Sequence, residues 1–175
     1  MRVLLFAVCG LALLCAQTTP NFTLPGLMAQ LAQVRSASAS FTQTKTMAML
    51  TTPLQSRGTL SYEAPDYVRK TTLAPERQDF VLQDGKVTLT MNGQTKRFTL
   101  SQAPQLAGLV EGVRATLAGD LPELQRYYGV SLSGGQTHWQ ILLRPHDASL
   151  AKMLAWMSVT GTGNRITEID SAGTK

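Results

Sequence analysis

From residue 41 to residue 100 the chain offers short segments of alternating polarity divided by turn signals, with no helical periodicity between them. A stretch of that kind folds as an antiparallel meander. Its segments read as 40–50, 57–64, 67–74, 77–83, 86–91 and 94–100. Asp84-Gly85 and Asn92-Gly93 are the strongest of the dividers, because both central residues of a type I′ turn need positive φ and these residue types tolerate it. One wide, twisted sheet must find a cover for its apolar face, and the cover decides what the protein does.

Residues 1–16 read as a cleavable secretory signal peptide: Arg2 is the positive start, an apolar run extends from Val3 to Leu14, and cleavage is expected near Ala16. The run is about a dozen residues, short of the roughly 20 that a spanning helix needs. The resulting location is the periplasm. Cys9 and Cys15 both lie in this segment, so the mature chain, a single domain over 17–175, has no thiol for a disulfide, a nucleophile or a metal. Without Arg2, 15 Lys and Arg face 11 Asp and Glu, a net charge of +4. These basic residues are scattered and do not alternate with aromatics, which argues against nucleic acid as a partner.

Before the meander, Phe22, Leu24, Leu27, Met28, Leu31 and Val34 recur at helical spacing, and the pattern predicts an amphipathic helix over 25–35. After it, Ser101 can cap a helix with Pro104 in its first turn and Leu106, Leu109, Val110, Val113 and Leu117 as its apolar stripe. Gly108 and Gly112 weaken that helix and suggest that it moves, so that Gly112→Ala should stiffen it and slow that motion more than it alters folding. Asp120 opens a second short helix. Strands resume at 127–133 and 137–144, joined by Gly134-Gly135, and at 155–161 and 165–170, with one helical turn over 147–153. The expected fold is α+β: an incomplete antiparallel β-barrel, a strongly curved sheet of about ten strands, with an N-terminal amphipathic helix and an inserted helical lid around a hydrophobic cavity.

Catalytic chemistry finds little support. His138 and His146 stand eight residues apart across a strand and a loop, which is no metal spacing. No G-x-S-x-G elbow occurs, and Gly161-Thr-Gly163 opens no helix that could cradle a phosphate. Glu63 with Asp66, and Asp79 with Asp84, fall where solvated turn residues are expected. No cofactor is implied, and the expectation is a protein that is not an enzyme. Flexible apolar side chains are more plentiful, with six methionines besides Met1. Alternation and helical spacing turn Leu60, Tyr62, Val68, Leu73, Leu82, Leu89 and Met91 inward to face Leu106, Leu109, Val110, Val113 and Leu117, with Met28 of the first helix joining them. Such a set lines a cavity if the helices pack loosely and fills a core if they pack down.

Ala39-Ser-Phe41-Thr-Gln43, Gly58-Thr-Leu60-Ser-Tyr62-Glu-Ala-Pro65 and Gln83-Asp84-Gly85-Lys86 together resemble the LolA family of outer-membrane lipoprotein carriers. Pro53-Leu54, Ala64-Pro65-Asp66, Leu73-Ala74-Pro75 and the run from Glu111 to Asp120 resemble a LolA-like subgroup, and the likeness spans about residues 24–170. The resemblance implies a barrel closed by a helical lid around a cavity for lipoprotein acyl chains. It also implies an inner-membrane donor complex and an outer-membrane acceptor as partners, and a monomeric carrier. Carriers of the main family place an Arg directly before the strand-turn Pro, where it bonds the lid. This chain has Ala64 there, leaving Glu63 or Arg69 as substitutes. That departure points to a cargo other than standard lipoproteins, such as a free or pigment-linked lipid. The competing expectation is a non-catalytic envelope module that pairs a partner's strand along an open sheet edge.

Overall fold

The computed structural model describes residues 22–46 and 51–174, so the expected signal segment lies outside the described residues. Helix α1 (Leu24–Leu31) starts at Thr23, whose hydroxyl oxygen accepts from the Gly26 amide, with Pro25 in the first turn. It ends four residues before the expected Arg35. Strand β1 (Ser36–Lys45) correspondingly begins four residues early, because its Ser-Ala-Ser-Ala start has no apolar alternation to announce it and is recruited by pairing with Glu63 to Thr59.

Strands β2 (Leu54–Glu63), β3 (Tyr67–Ala74), β4 (Gln78–Gln83), β5 (Lys86–Met91) and β6 (Gln94–Thr99) follow in order as a meander. Asp84 and Gly85 take φ of 51° and 67°, and Asn92 and Gly93 take 51° and 73°, which sets the two tight hairpins. A 3-10 turn (Leu100–Gln102) then leads into α2 (Pro104–Ala118) and α3 (Leu121–Tyr127). Ser101 does not cap α2. It lies in the 3-10 turn that Gln102 closes by accepting from the Thr99 amide, and Ala103 holds the cap position without a side-chain bond. Asp120 does cap α3, accepting from the Glu123 amide at 3.1 Å. Strands β7 (Tyr128–Gly135), β8 (His138–Pro145), β9 (Trp156–Thr162) and β10 (Arg165–Ala172) complete the chain, with α4 (Ala148–Ala151) between β8 and β9. Gly134 and Gly135 end β7 rather than forming its turn, since Gly135 pairs with His138.

The architecture is α+β, all antiparallel, yet the expected single curved sheet is two. Six strands form one sheet in the order β1 to β6, and four form the other in the order β10-β9-β8-β7. No strand pair joins them among the described residues, so the sheets do not close into a barrel. The helical stretch between β6 and β7 separates them, because α2 lies between the two sheets and gives both a surface to cover.

Two cores result. Leu27, Met28 and Leu31 of α1 pack with Leu124, Tyr128, Trp139, Ile141, Leu143, Leu150, Met157 and Val159, and Leu109 and Val113 of α2 lean on this cluster. Tyr62, Val68, Leu82, Val87 and Leu100 form the other, against Val110 and Leu117 on the neighbouring stripe of α2. The glycines of α2 serve this packing rather than looseness. A Cβ on Gly108 would come within 2.5 Å of Leu150, and one on Gly112 within 2.9–3.1 Å of the Tyr128 ring and hydroxyl. Tyr128 is fully buried, its hydroxyl donates to the Gly108 carbonyl at 2.9 Å, and burial pushes its pKa up to about 12. It has no room to yield. Gly112→Ala is therefore expected to destabilise the fold by about 1–3 kcal/mol through overpacking. An unchanged urea midpoint would instead restore the stiffened-helix reading.

Candidate functional site: the inner face of the six-stranded sheet

The strand registers assign every residue of this sheet to one of two faces. The face turned to α2 carries Ala37, Ala39, Phe41, Gln43 and Lys45 of β1, then Leu54, Ser56, Gly58, Leu60 and Tyr62 of β2 and Val68, Lys70 and Thr72 of β3. Gln78, Phe80 and Leu82 of β4, Val87, Leu89 and Met91 of β5, and Gln94, Lys96 and Phe98 of β6 continue it. The opposite face is built mainly from Ser, Thr, Gln and charged residues, with Tyr67 and Val81 as exceptions, and on it Arg69 grips Asp79 through two bonds of 2.9 Å. Hydrogen bonding from Arg69 holds the Asp79 carboxyl below the usual carboxylate range. The sheet is thus two-sided, greasy toward the helix and wet outward.

Helix α2 covers only one end of the inner face. Tyr62, Val68, Leu82 and Val87 are 1–6% exposed beneath it. At the other end Phe41, Leu60, Phe80 and Leu89 are half-buried, and Leu54 and Met91 are exposed. Among the expected cavity residues, Leu60, Tyr62, Val68, Leu82, Val110 and Leu117 meet in the core between this sheet and α2. Leu89 lies on the same face at its open half. Met28, Leu109 and Val113 belong to the other core, on the far side of α2.

Leu73 points away: β3 bulges where Arg57 pairs with Ala74 and Gly58 with Thr72, which leaves Leu73 unpaired and 52% exposed. Leu106 is also exposed, in the first turn of α2. Val87, Phe98, Phe80 and Phe41 were missed, although counting outward from the two hairpin turns would have found the first three. Leu82 must oppose Val87, and Val87 must oppose Phe98.

The space between the sheets is filled in this conformation by α2 itself. A cleft of about 230 Å³ remains, lined by Lys45, Leu109, Leu150, Met153, Leu154, Ser171 and Gly173.

One side-chain contact ties α2 to the β2–β3 turn, and its arginine sits on the helix. Arg114 donates to the Pro65 carbonyl in the β2–β3 turn at 3.4 Å, to Glu111 at 2.5 Å, and lies 3.5 Å from Asp120. Burial opposes its charge, but the hydrogen bond and charge of Glu111, with Asp120, outweigh it and raise its pKa. Neither expected substitute takes part. Arg69 is committed to Asp79 on the outer face, and Glu63 is exposed at the end of β2. With Ala64 before Pro65, the strand turn offers only a backbone acceptor, and the helix provides the donor.

The family model described as outer membrane lipoprotein carrier protein LolA-like matches residues 21–175. No curated protein matches the chain. A meander of six strands, a helix docked on its apolar face and a family match over nearly the whole length lead to one assignment: the chain belongs to the LolA-like family of outer-membrane lipoprotein carriers.

Proposed function

We propose that this protein is a non-catalytic periplasmic carrier, delivered by a signal peptide over residues 1–16, whose single domain over 17–175 shuttles a lipoprotein acyl chain or related lipid from the inner to the outer membrane as a monomer. The donor complex and the acceptor would be membrane proteins of those two compartments. The observation that carries the reading is α2 seated on an apolar sheet face that it covers only in part. A helix so placed occupies the room that cargo would need, and acts as a lid.

The energetics allow exchange. Lifting α2 off Tyr62, Val68, Leu82 and Val87 re-exposes these and Val110 and Leu117, at about 1.5–3 kcal/mol each, or on the order of 9–18 kcal/mol in all. An acyl chain of about sixteen carbons returns about 12 kcal/mol when it takes the helix's place. One chain roughly balances the cost, and a cargo with two or three chains drives opening. Native mass spectrometry of protein extracted from a periplasm tests the reading: a reproducible bound acyl species supports it, and consistently lipid-free protein overturns it. The second reading, a module that binds a partner's strand, draws on β1, which is an unpaired sheet edge with nearly every residue exposed. A bound peptide in the same experiment would favour it.

As the latch of that lid, Arg114 gives a kinetic prediction. Arg114→Met combined with Glu111→Gln removes the bond to Pro65 without leaving the largely buried Glu111 carboxylate unpaired, while the more exposed Asp120 keeps the Glu123 amide. Loss of one long hydrogen bond, about 1 kcal/mol, should speed uptake of a pyrene-labelled fatty acid roughly fivefold in stopped-flow. An unchanged rate would show that Arg114 does not restrain the lid.

A further inference from the structure

The inner face of the six-stranded sheet carries three lysines, Lys45, Lys70 and Lys96, and no aspartate or glutamate. A half-buried lysine on a largely apolar inward face is costly unless something meets its charge. Lys45 and Lys96 are exposed, whereas Lys70 is half-buried in the middle of the open half of the face, opposite Leu60 on one neighbouring strand and Phe80 on the other. Its ammonium donates to Gln43 Oε1 at 2.8 Å and lies 4.8 Å from the centre of the Phe41 ring, so two neutral groups hold it and no carboxylate approaches it among the described residues. Burial, and Lys45 beside it, hold its pKa below the ordinary lysine value. The outer face of the same sheet is different: there the buried-side problem is absent and Arg69 has its Asp79.

We propose that the cargo of this carrier is an aliphatic chain bearing an anionic group, a carboxylate or a phosphate, and that Lys70 is the residue that receives that group on the open half of the inner face. The inference rests on the carrier reading and names its substrate class. The apolar neighbours Phe41, Leu60, Phe80 and Leu89 receive the first carbons of the chain, and Lys45 adds long-range attraction. In the empty protein Gln43 and Phe41 keep the ammonium in place. An arriving oxyanion replaces those neutral contacts by a charge-assisted bond, which is the stronger kind.

The test compares 16-(1-pyrenyl)hexadecanoic acid with its methyl ester, which has the same chain without the charge, and with a pyrene-labelled alkyl phosphate. Wild-type protein should bind the acid at least tenfold more tightly than the ester. Lys70→Met should lose that preference while binding the ester as before, and Lys70→Arg should keep it. The melting temperature of Lys70→Met should equal or exceed that of the wild type, which separates loss of recognition from loss of fold. A phosphate bound more tightly than the acid assigns a phosphoryl headgroup, and the reverse order a carboxylate. Equal binding of acid and ester by the wild type, or equal weakening of both in Lys70→Met, overturns the anionic cargo and leaves a carrier of neutral lipid. Binding of none of the three overturns the carrier reading and this inference with it.

Discussion

Gly119→Ala is expected to destabilise this protein by about 3–5 kcal/mol, a large fraction of the roughly 5–15 kcal/mol that keeps a domain folded. Gly119 closes α2 in the left-handed region, at φ 65°, and its amide reaches back to the Thr116 carbonyl. Backbone strain alone would cost alanine about 1 kcal/mol there. The larger cost is steric. A Cβ would overlap the Met28 carbonyl oxygen and come within 2.5 Å of the Ala32 amide nitrogen, at the end of α1. These are backbone atoms, which cannot swing aside as side chains do. The substitution must therefore push α1 off the end of α2, and with it Met28 and Leu31 out of the core they share with Trp139. Guanidinium unfolding followed by circular dichroism measures the effect. A loss below about 1 kcal/mol would mean that α1 is free to shift, and that the contact between the helices is not a fixed joint.

Trp139→Ala should cost about 3–5 kcal/mol, by removal of a fully buried indole from the four-stranded sheet. Trp139 sits in β8 opposite Gly161 of β9, and the indole lies where a Cβ of Gly161 would otherwise be. Its Nε1 donates to the Gly163 carbonyl at 2.8 Å, so truncation leaves both a large void and an acceptor without its donor. Trp139→Phe keeps most of the volume and should lose about half as much. The same melt decides the matter. If the alanine and phenylalanine variants proved equally stable, the fit of the indole against Gly161 would not be what holds this cluster together.

These two variants bear on function as well. The four-stranded sheet with α1 and α3 forms a packed body, while the six-stranded sheet shows α2 a face that is only half covered. A lid that opens should part from the second and stay with the first, because Gly108 and Gly112 let α2 approach Leu150 and Tyr128 closely on that side. Close backbone approach adds dispersion contacts that the looser side lacks.

Much of the fold was legible because hairpin turns are local. Asp84-Gly85 and Asn92-Gly93 need only their own φ angles to define a turn, and strands β3 and β5 lie at the expected limits. Asp120 and Pro122 announced α3 by chemistry within one turn of helix. The beginning of β1 was illegible for the opposite reason: alternating Ser and Ala has no preference of its own, and pairing with β2 decides it. The inward-facing residues were half legible. Alternation picked out Leu60, Tyr62, Val68 and Leu82 as inward, but the bulge opposite Gly58 turned Leu73 outward, and a bulge is a property of two strands together.

By itself the sequence determined the alternating strands, the two type I′ turns, the Asp120 cap of α3 and membership of a carrier family, since each depends on residues close together along the chain or on motifs kept in order. Only the tertiary structure decided that the strands divide into two sheets and that α2 fills the space between them. It alone brought Arg114 of the helix to the Pro65 carbonyl, and set Lys70 among apolar neighbours with no acid to meet it among the described residues. Those outcomes depend on which surfaces cover one another, and burial is a sum over residues far apart in the chain.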